Sequence, residues 1–292
     1  MQTKRQIQEL LDSAGIRPNK RRGQHFLIDL NLMRLLVNSA NIQKNDVVLE
    51  VGCGTGSLTG ILAEKAGRVI AVELDARLFE IARNQLSEAK NIDFINCDIL
   101  ENKNAINQTV INSLIQACKE FSGRLLLVSN LPYNVGSPVM LNLVTGPTTV
   151  DRMYVTVQKE VADRMTAVPN SKDYGILSIF LAVTGTIERI RKLKPQVFWP
   201  QPKVDSAMVG FEFDPKKACR IKDMELFKEI VNLFMGHRRK TILACSRLAE
   251  EKRLKNHNWS DIFGKCSLDP HKRPDELCPD DYINIANNEE KT

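Results

Sequence analysis

The amino-acid sequence predicts an α/β fold, a parallel sheet with helices on both faces, followed by a smaller helical domain. From Asp46 to about residue 157, short runs rich in β-branched residues alternate with helical stretches, which is the pattern of strands joined by crossover helices. These runs carry apolar residues on both faces, which indicates strands that are covered by helices on both sides. From about residue 222 onward, apolar residues recur with a helical period instead, which predicts helices.

The individual elements are predicted in chain order. Strands are expected at 47–51, 68–73, 92–96, 124–128, 153–157, 186–191 and 207–213. Helices are expected at 57–66, 75–89, 104–121, 137–145, 159–165 and 174–184, with a turn at 214–217. Residues 223–254 are predicted as helix, and another helix is predicted around 280–287. We therefore expect a basic N-terminal arm over 1–28, the α/β domain over 29–213 and the helical domain over 214–292.

Composition and charge limit the functions that this chain can have. The formal net charge is +6, and residues 1–22 hold six basic side chains against two acidic ones, which suits a polyanionic partner. The seven cysteines show no C-x-x-C spacing, so we expect no metal site and no disulfide framework. No apolar run is long enough to cross a membrane, and the N-terminus lacks the apolar stretch of a secretion signal. We expect a cytoplasmic protein with no membrane partner.

A glycine-rich loop is predicted between the strand at 47–51 and the helix that follows it. The sequence LEVGCGTGSLT places Gly52, Gly54 and Gly56 there, where glycine lets the backbone approach a ligand closely. The spacing differs from the dinucleotide-binding pattern, because Ser57 stands where the last glycine of that pattern belongs. The loop alone is weak support for a nucleotide-type site.

Three carboxylates lie at the ends of successive predicted strands. Glu73 ends the second strand, where it can accept both ribose hydroxyl protons of an adenosine, and Asp98 follows the third, where it can accept from an adenine amine. Glu50 lies just before the glycine loop and suits a nearby ammonium group. Each acid alone is better explained as a helix cap or a surface carboxylate. Together they would repel a pyrophosphate and fit an adenosine with a cationic tail, so we predict S-adenosylmethionine as the cosubstrate.

The predicted strand at 124–128 runs into the tetrapeptide Asn130-Leu131-Pro132-Tyr133. The Asn130 side chain and the Leu131 carbonyl are two acceptors, Pro132 restricts the direction of the second, and Tyr133 offers a face for stacking. Two acceptors beside an aromatic ring suit the N6 amine of adenine, because they stabilise the positive charge that develops on this nitrogen as it attacks a methyl group. We predict methyl transfer by alignment, without a strong general base. The structural alternative is a proline-containing turn with a core tyrosine.

Eight short segments occur together and in a fixed order: GQHFL, EVGCGTGSLT, AVELD, SNLPYNVGSP, VQKEVADRM, SKDYG, FWPQPKVDS and HRRKT. With them, the sequence from about residue 20 to 277 resembles the ribosomal RNA adenine N6,N6-dimethyltransferases, and their small-subunit branch in particular. The resemblance implies a Rossmann-like, class I S-adenosylmethionine-dependent methyltransferase fold. It also implies dimethylation of two adjacent adenines in the hairpin loop near the 3′ end of small-subunit (16S) rRNA during ribosome biogenesis.

The resemblance further implies which residues contact the cosubstrate, the target base and the RNA. The implied cosubstrate contacts are Gln24, His25, Leu27, Gly52, Gly54, Gly56, Glu73, Leu74, Asp98, Ile99 and Asn130. The implied catalytic residues are Asn130, Leu131, Pro132, Tyr133 and Phe198. Tyr133 and Phe198 are expected to sandwich the target adenine once it has left its stack. The implied RNA-phosphate contacts are Arg21, Arg22, Arg238, Arg239 and Lys240, of which the last three are expected to begin a helix.

Some positions depart from the family pattern. His25 stands where many relatives have asparagine, Cys53 replaces a common proline, and Ser129 often corresponds to glycine or alanine. The polar segment 101–123 is more divergent than the rest, which leaves the neighbouring edge of the cosubstrate site less well predicted. None of these departures removes a residue that the chemistry needs.

Several functions stay open at this point. A ribosome-assembly or transcription factor could keep this fold without the chemistry. An NAD-dependent oxidoreductase is disfavoured by the glycine spacing, and a DNA adenine methyltransferase commonly carries an acidic residue where Asn130 stands. The first hypothesis is the rRNA enzyme, with small-subunit rRNA or the immature small subunit as partner, no metal, and a monomeric state.

Overall fold

The protein is described from a computed structural model, and the description covers residues 1–18, 23–249, 252–255 and 257–288. The chain forms two compact units. The first unit comprises Met1–Ala162 and Ile187–Phe213, and the second comprises Asp163–Thr186 and Asp214–Thr292. Among the described residues, no helix combines the length and the apolar character that crossing a membrane requires.

The strands and helices begin and end close to the predicted positions in most of the chain. The strands are β1 (Phe26–Leu27), β2 (Val47–Val51), β3 (Arg68–Glu73), β4 (Ile92–Asn96), β5 (Leu100–Asn102), β6 (Ala105–Ile106), β7 (Leu125–Asn130), β8 (Arg152–Gln158), β9 (Gly185–Leu193), β10 (Phe198–Trp199) and β11 (Ser206–Phe213). The helices before residue 200 are α1 (Lys4–Ser13), α2 (Leu30–Ala40), α3 (Ser57–Lys65), α4 (Ala76–Gln85), α5 (Gln108–Glu120), α6 (Gly136–Thr145), α7 (Lys159–Met165) and α8 (Ile176–Thr184). The later helices are α9 (Pro215–Ala218), α10 (Met224–Gly236), α11 (Ile242–Ser246), α12 (Lys252–Lys255), α13 (Trp259–Lys265) and α14 (Pro279–Asn287).

A seven-stranded sheet with the order β4-β3-β2-β7-β8-β11-β9 organises the first unit. The five strands from β4 to β8 in this order are parallel, and β11 pairs with β8 in the antiparallel direction. This confirms the predicted α/β fold. Parallel strands bring their carboxyl ends to one edge of the sheet, so the residues that follow β2, β3, β4 and β7 meet there.

Apolar side chains on these strands explain why the sheet is covered by helices. Every residue of β2 is buried, and Leu36 of α2, Leu62 of α3 and Leu126 of β7 share one core cluster with it. Burying a leucine side chain completely contributes about 2 kcal/mol. The parallel core therefore gives the loops at the carboxyl edge a rigid support.

The N-terminal segment, predicted as a basic arm, contains the helix α1. Thr3 caps this helix through a reciprocal capping box with Gln6, and the apolar side chains of Ile7 and Leu11 are both 1% exposed. They form a small cluster with Leu78 of α4. No helix was predicted here, because the segment contains few apolar residues and their helical spacing is a weak signal.

Helix packing places residues 163–186 in the second unit, whereas the sequence-based boundary assigned them to the α/β domain. The reason is aromatic packing: the rings of Phe180 in α8 and Phe227 in α10 meet edge to face with their centroids 5.3 Å apart. Phe234 of α10 packs in turn against Trp259 and Tyr282.

Three local predictions were wrong. The stretch 223–254 is broken, because α10 ends at Gly236 and a new N-cap, Thr241, begins α11. The predicted turn at 214–217 is the short helix α9, which Asp214 caps through its side chain. The helix predicted from 104 begins only at Gln108, after the two-stranded ribbon of β5 and β6.

Candidate active site

An open cleft, with about 1070 Å³ of empty space that includes the solvent at its mouth, lies at the carboxyl edge of the parallel strands in the first unit. Its walls include the segment before and within β1, the loop after β2, and the residues that follow β3, β4 and β7. The predicted cosubstrate residues that line it are Gln24, His25, Leu27, Gly52, Gly54, Glu73, Leu74, Asp98, Ile99 and Asn130. The fold thus brings together side chains that are more than 100 positions apart in the sequence.

The glycine loop has the backbone conformation that its residues predict. Gly52 and Gly54 have φ angles of +77° and +60°, in the left-handed region that favours glycine. A Cβ atom at Gly52 would also lie 2.8 Å from Cγ of Pro132. Position 52 therefore fits beside Pro132 only as glycine. Gly56, the one predicted contact of this loop that does not line the cleft, is the N-cap of α3.

Glu73 fastens the glycine loop to the end of β3. Its Oε2 accepts a hydrogen bond from the Gly54 amide at 2.9 Å, and its Oε1 accepts one from the Asp75 amide at 2.9 Å. Burial raises the pKa of this carboxyl group, although the two backbone donors oppose the shift. Each carboxylate oxygen can accept more than one hydrogen bond, so Glu73 can still receive hydroxyl protons from the cleft.

Glu50 is the buried acid that best reveals the ligand chemistry of the cleft. It is only 2% exposed, and its Oε2 atom has no hydrogen-bond partner among the described residues. Burial raises its pKa to about 8, and the neighbouring Glu73 charge adds to this shift. A buried carboxylate with one oxygen unpaired is costly, and a cation in the cleft would offset that cost. The site therefore fits the ammonium group of a ligand such as S-adenosylmethionine.

Asp98 follows β4 in the chain and lines the cleft. Its Oδ1 accepts a hydrogen bond from the Leu100 amide at 3.0 Å, which fixes the side chain at the cleft. The remaining oxygen can accept from an exocyclic amine. Its neighbours Cys97 and Ile99 supply apolar surface to the same wall.

Asn130 is oriented by contacts from two other segments. Its Nδ2 donates to the His25 carbonyl at 2.7 Å, and its Oδ1 accepts from the hydroxyl of Thr156, which is fully buried in β8. The amide oxygen has two lone pairs, so one acceptor direction is left for a substrate amine. These two bonds also decide which way the amide points.

Tyr133 is held at its ring and at its hydroxyl. The His25 ring lies 5.1 Å from the Tyr133 ring, centroid to centroid, and the Tyr133 hydroxyl lies 2.7 Å from the hydroxyl of Ser206. Burial raises the pKa of Tyr133, so the phenol stays neutral. His25 donates from Nδ1 to the Pro200 carbonyl at 2.6 Å, since a carbonyl oxygen can only accept. The segment 199–206 thereby supports both rings.

Several predicted residues lie away from the cleft. Leu131 and Phe198 are both 2% exposed, and Phe198 belongs to the core cluster and pairs with Leu27 in the small β1–β10 sheet. Phe198 therefore presents no face to a base in this structure, and its role as the second stacking residue stays a prediction. Arg21 and Arg22 lie outside the described residues.

The predicted basic cluster 238–240 lies in the second unit, in the turn between α10 and α11 and not in a helix. Arg238 is ion-paired with Asp275 at 3.1 Å and donates to the Lys172 carbonyl at 3.2 Å. Arg239 and Lys240 are exposed. The first of these three residues therefore stabilises its own unit, while the other two are accessible to a partner.

Sequence reasoning missed residues whose partners depend on the fold. Ile7 of α1 lines the cleft. The hydroxyl groups of Thr156 and Ser206 form hydrogen bonds with the side chains of Asn130 and Tyr133. In the sequence, Thr156 gives only a weak signal, as a polar residue inside an apolar strand. Its contact with Asn130 depends on the register of β7 and β8, which pairs the two residues. Among the described residues, no group of His, Cys, Asp or Glu is arranged to hold a metal ion.

Comparison with known proteins agrees with this geometry. The family described as "Ribosomal RNA adenine dimethylase" matches residues 15–270. The chain is 35% identical over 273 residues to the ribosomal RNA small subunit methyltransferase A of Caldanaerobacter subterraneus subsp. tengcongensis, covering 93% of this chain and 97% of that protein. It is 36% identical over 280 residues to the protein of the same name from Alkaliphilus metalliredigens, covering 95% and 93% respectively.

Solved structures agree on the fold. A dimethyladenosine transferase from Plasmodium falciparum superposes with a TM-score of 0.70 at 20% identity, covering 88% of this chain and 94% of that one. The 23S rRNA methyltransferase ErmE gives a TM-score of 0.60 at 22% identity, covering 90% and 98%. The fold is that of class I S-adenosylmethionine-dependent methyltransferases, which implies S-adenosylmethionine as the methyl donor. Family match, relatives and fold agree that this chain belongs to the ribosomal RNA adenine dimethylase family and is an enzyme of that class.

Proposed function

We propose that this protein dimethylates N6 of two adjacent adenines in the hairpin loop near the 3′ end of small-subunit rRNA, during assembly of the small ribosomal subunit. The names of its relatives, small subunit methyltransferases at 33–36% identity, support the choice of rRNA. The observation that carries the chemistry is Asn130: an amide oxygen with one unused acceptor direction, at the edge of a cleft that fits a cationic adenosine.

The cosubstrate contacts follow from the walls of the cleft. The Glu73 carboxylate is proposed to receive the ribose hydroxyls, Asp98 the adenine amine, and Glu50 the ammonium group. Gly52 and Gly54 keep the floor free of side chains, and His25 and Leu27 cover the opposite side. S-adenosylmethionine bound there supplies a methyl group that its sulfonium centre has already activated.

The residues of the tetrapeptide act on the target adenine. Tyr133 stacks on the base, and the Asn130 amide oxygen and the Leu131 carbonyl accept the hydrogens of its N6 amine. These acceptors orient the nitrogen lone pair and stabilise the positive charge that develops on nitrogen. Thr156 and the His25 carbonyl keep Asn130 in position, so that little reorganisation is needed in the transition state. The alkylated nitrogen is acidic and loses its proton to solvent.

Binding of the RNA needs the base to leave its stack, which is easiest in a single-stranded loop. Arg239 and Lys240, both exposed in the second unit, are proposed phosphate contacts together with Arg21 and Arg22 of the N-terminal segment. We propose that the protein acts as a monomer and that the reaction needs no metal ion. We propose that the protein is cytoplasmic, because bacterial cells keep its rRNA substrate in the cytoplasm.

Product identity tests this function. The full chain is incubated with small ribosomal subunits that lack adenine methylation and with S-adenosylmethionine carrying a labelled methyl group, and the rRNA nucleosides are separated by mass spectrometry. We expect label in N6,N6-dimethyladenosine from two adjacent positions of small-subunit rRNA. Large-subunit rRNA serves as the control and should stay unlabelled. Label absent from small-subunit adenines, or present on another base, would refute the proposal.

A further inference from the structure

A strongly basic segment begins in β9, the edge strand of the seven-stranded sheet, and continues beyond it. Between residues 185 and 205 the chain carries five basic and two acidic side chains. Lys192 and Lys194 lie on alternate positions of an extended stretch, and both side chains are exposed. Neither residue is used by the site described above, and neither is needed for the core of the first unit.

Asp205 forms an ion pair with the first of these lysines. Its Oδ2 lies 2.7 Å from Nζ of Lys192. The Lys192 contact lowers the pKa of Asp205 most, and the charges of Lys194 and Lys159 lower it further. An exposed ion pair of this kind contributes little to stability. Asp205 neutralises only one of the two exposed lysines, so Lys192 and Lys194 together keep a net positive charge at this edge of the sheet.

The position of this cluster connects it with the catalytic loop. Asp205 directly precedes Ser206, whose hydroxyl lies 2.7 Å from the Tyr133 hydroxyl. The Lys159 amide donates to the Asp205 carbonyl at 2.9 Å, which fixes this corner of the backbone to the end of β8. Consecutive Cα atoms are about 3.8 Å apart, so the path through Asp205 and Ser206 keeps the Lys192 ammonium within roughly 15 Å of the Tyr133 hydroxyl.

We infer that Lys192 and Lys194 bind the RNA backbone phosphates next to the adenine that stacks on Tyr133. The inference rests on the proposed function, because it takes Tyr133 as the place where the base is held. A base turned out of its loop brings its own phosphates along, and they must be neutralised beside the aromatic ring. Lysine suits this role as a flexible point charge that contacts phosphate without reading sequence. The partner is single-stranded RNA, and the two lysines set its path into the site.

Salt dependence of binding gives a direct test. We compare the wild type, the double variant Lys192→Gln/Lys194→Gln and the charge-keeping variant Lys192→Arg/Lys194→Arg. The matched control is Lys90→Gln, an exposed lysine before β4 at the opposite edge of the sheet. Affinity for small ribosomal subunits that lack adenine methylation is measured over a series of KCl concentrations.

Each phosphate contact on a single strand changes the slope of log affinity against log salt by about 0.7, so loss of two contacts should flatten the slope by about 1.4. The arginine variant and Lys90→Gln should keep the wild-type slope. We also expect the glutamine variant to raise KM for subunits while kcat at saturating substrate and the affinity for S-adenosylmethionine stay within about twofold, since the charges act on RNA binding.

The possible outcomes separate this inference from the proposed function. A glutamine variant with the wild-type slope overturns the phosphate site, while methylation by the wild type would leave the proposed function intact. A flattening equal to that of Lys90→Gln overturns it as well, because the effect would then be one of net charge. A wild type that neither binds nor methylates subunits refutes the proposed function itself. Unchanged thermal melting of the variants shows that any altered slope reflects binding.

Discussion

Tyr133 is the residue whose position depends most on a contact behind it. Its hydroxyl and that of Ser206 are 2.7 Å apart, and Ser206 is fully buried at the start of β11. A hydrogen bond of this kind contributes about 1 kcal/mol. In this account the bond fixes the plane of the ring on which the target base stacks.

A double-mutant cycle tests this role of Ser206. Ser206→Ala and Tyr133→Phe remove the same hydrogen bond from its two ends, so each should slow methyl transfer about fivefold and the double variant should be no slower than either single one. The measured quantity is kcat for methylation of small ribosomal subunits, with S-adenosylmethionine affinity as the control that stays unchanged. Additive losses would show that the two hydroxyls act independently.

Residues that carry chemistry themselves could be predicted from the sequence, whereas residues that position them could not. Asn130, Glu73 and Asp98 stand at or just after the ends of predicted strands, and this is visible in the chain. Thr156 and Ser206 act through partners 26 and 73 positions away, and the pairing depends on strand register. Burial of Phe198 in the core cluster was not visible in the sequence either, and its role as the second stacking residue stays a prediction.

Among the elements, β2 carries a buried acid, Glu50, whose pKa is strongly raised. Glu50 is buried at the end of β2, without a partner for Oε2 among the described residues, and its pKa is raised from 4.5 to about 8. The folded protein therefore keeps this proton up to a pH near 8, while the unfolded chain releases it near 4.5. Between these two values the folded state binds more protons, so its stability falls as the pH rises.

The variant Glu50→Gln should remove this pH dependence. We expect its free energy of unfolding to exceed that of the wild type by a margin that grows with pH from 4.5 to about 8, at no more than about 1.4 kcal/mol per pH unit. Urea unfolding of both proteins without ligand, at several pH values, measures the margin. A margin that is constant across this range would mean that Glu50 titrates normally. The same variant should bind S-adenosylmethionine more weakly, because the ammonium group loses its charged partner.

Elements with a clear hydrophobic pattern were predicted close to their observed bounds. Short elements, and elements whose start is marked only by an N-cap residue, were not. The five parallel strands were found nearly at their observed bounds, because each contains a short run rich in apolar or β-branched residues. The break between α10 and α11 was missed, since apolar residues continue in helical spacing on both sides of Gly236 and the N-cap Thr241 marks the new start only by its side chain. Helix α1 was missed because only a few of its residues are apolar.

At the scale of the whole molecule, the order of the strands creates the site. Placing β2 between β3 and β7 brings the glycine loop, Glu73 and Asn130 to one edge, although they are up to 78 positions apart in the chain. The sequence predicted the parallel sheet, and the resemblance predicted its class. The assignment of residues 163–186 to the second unit was not predictable, because it depends on long-range packing of Phe180 against Phe227.

In the proposed function, the Asn130 amide oxygen accepts a hydrogen bond from the target adenine amine at the edge of the cosubstrate cleft. The rate of methyl transfer by Asn130→Ala tests this role most directly. The rate of methyl transfer to small ribosomal subunits is compared for the wild type, Asn130→Ala and Asn112→Ala, the last being an exposed amide on α5. Binding of subunits and thermal melting are measured in parallel.

We predict that Asn130→Ala loses at least about a hundredfold in rate, the effect expected when a charge-stabilising group is removed from a preorganised site. Subunit binding should stay within about twofold of the wild type, and Asn112→Ala should be fully active. Wild-type methylation by a folded Asn130→Ala variant would contradict the account.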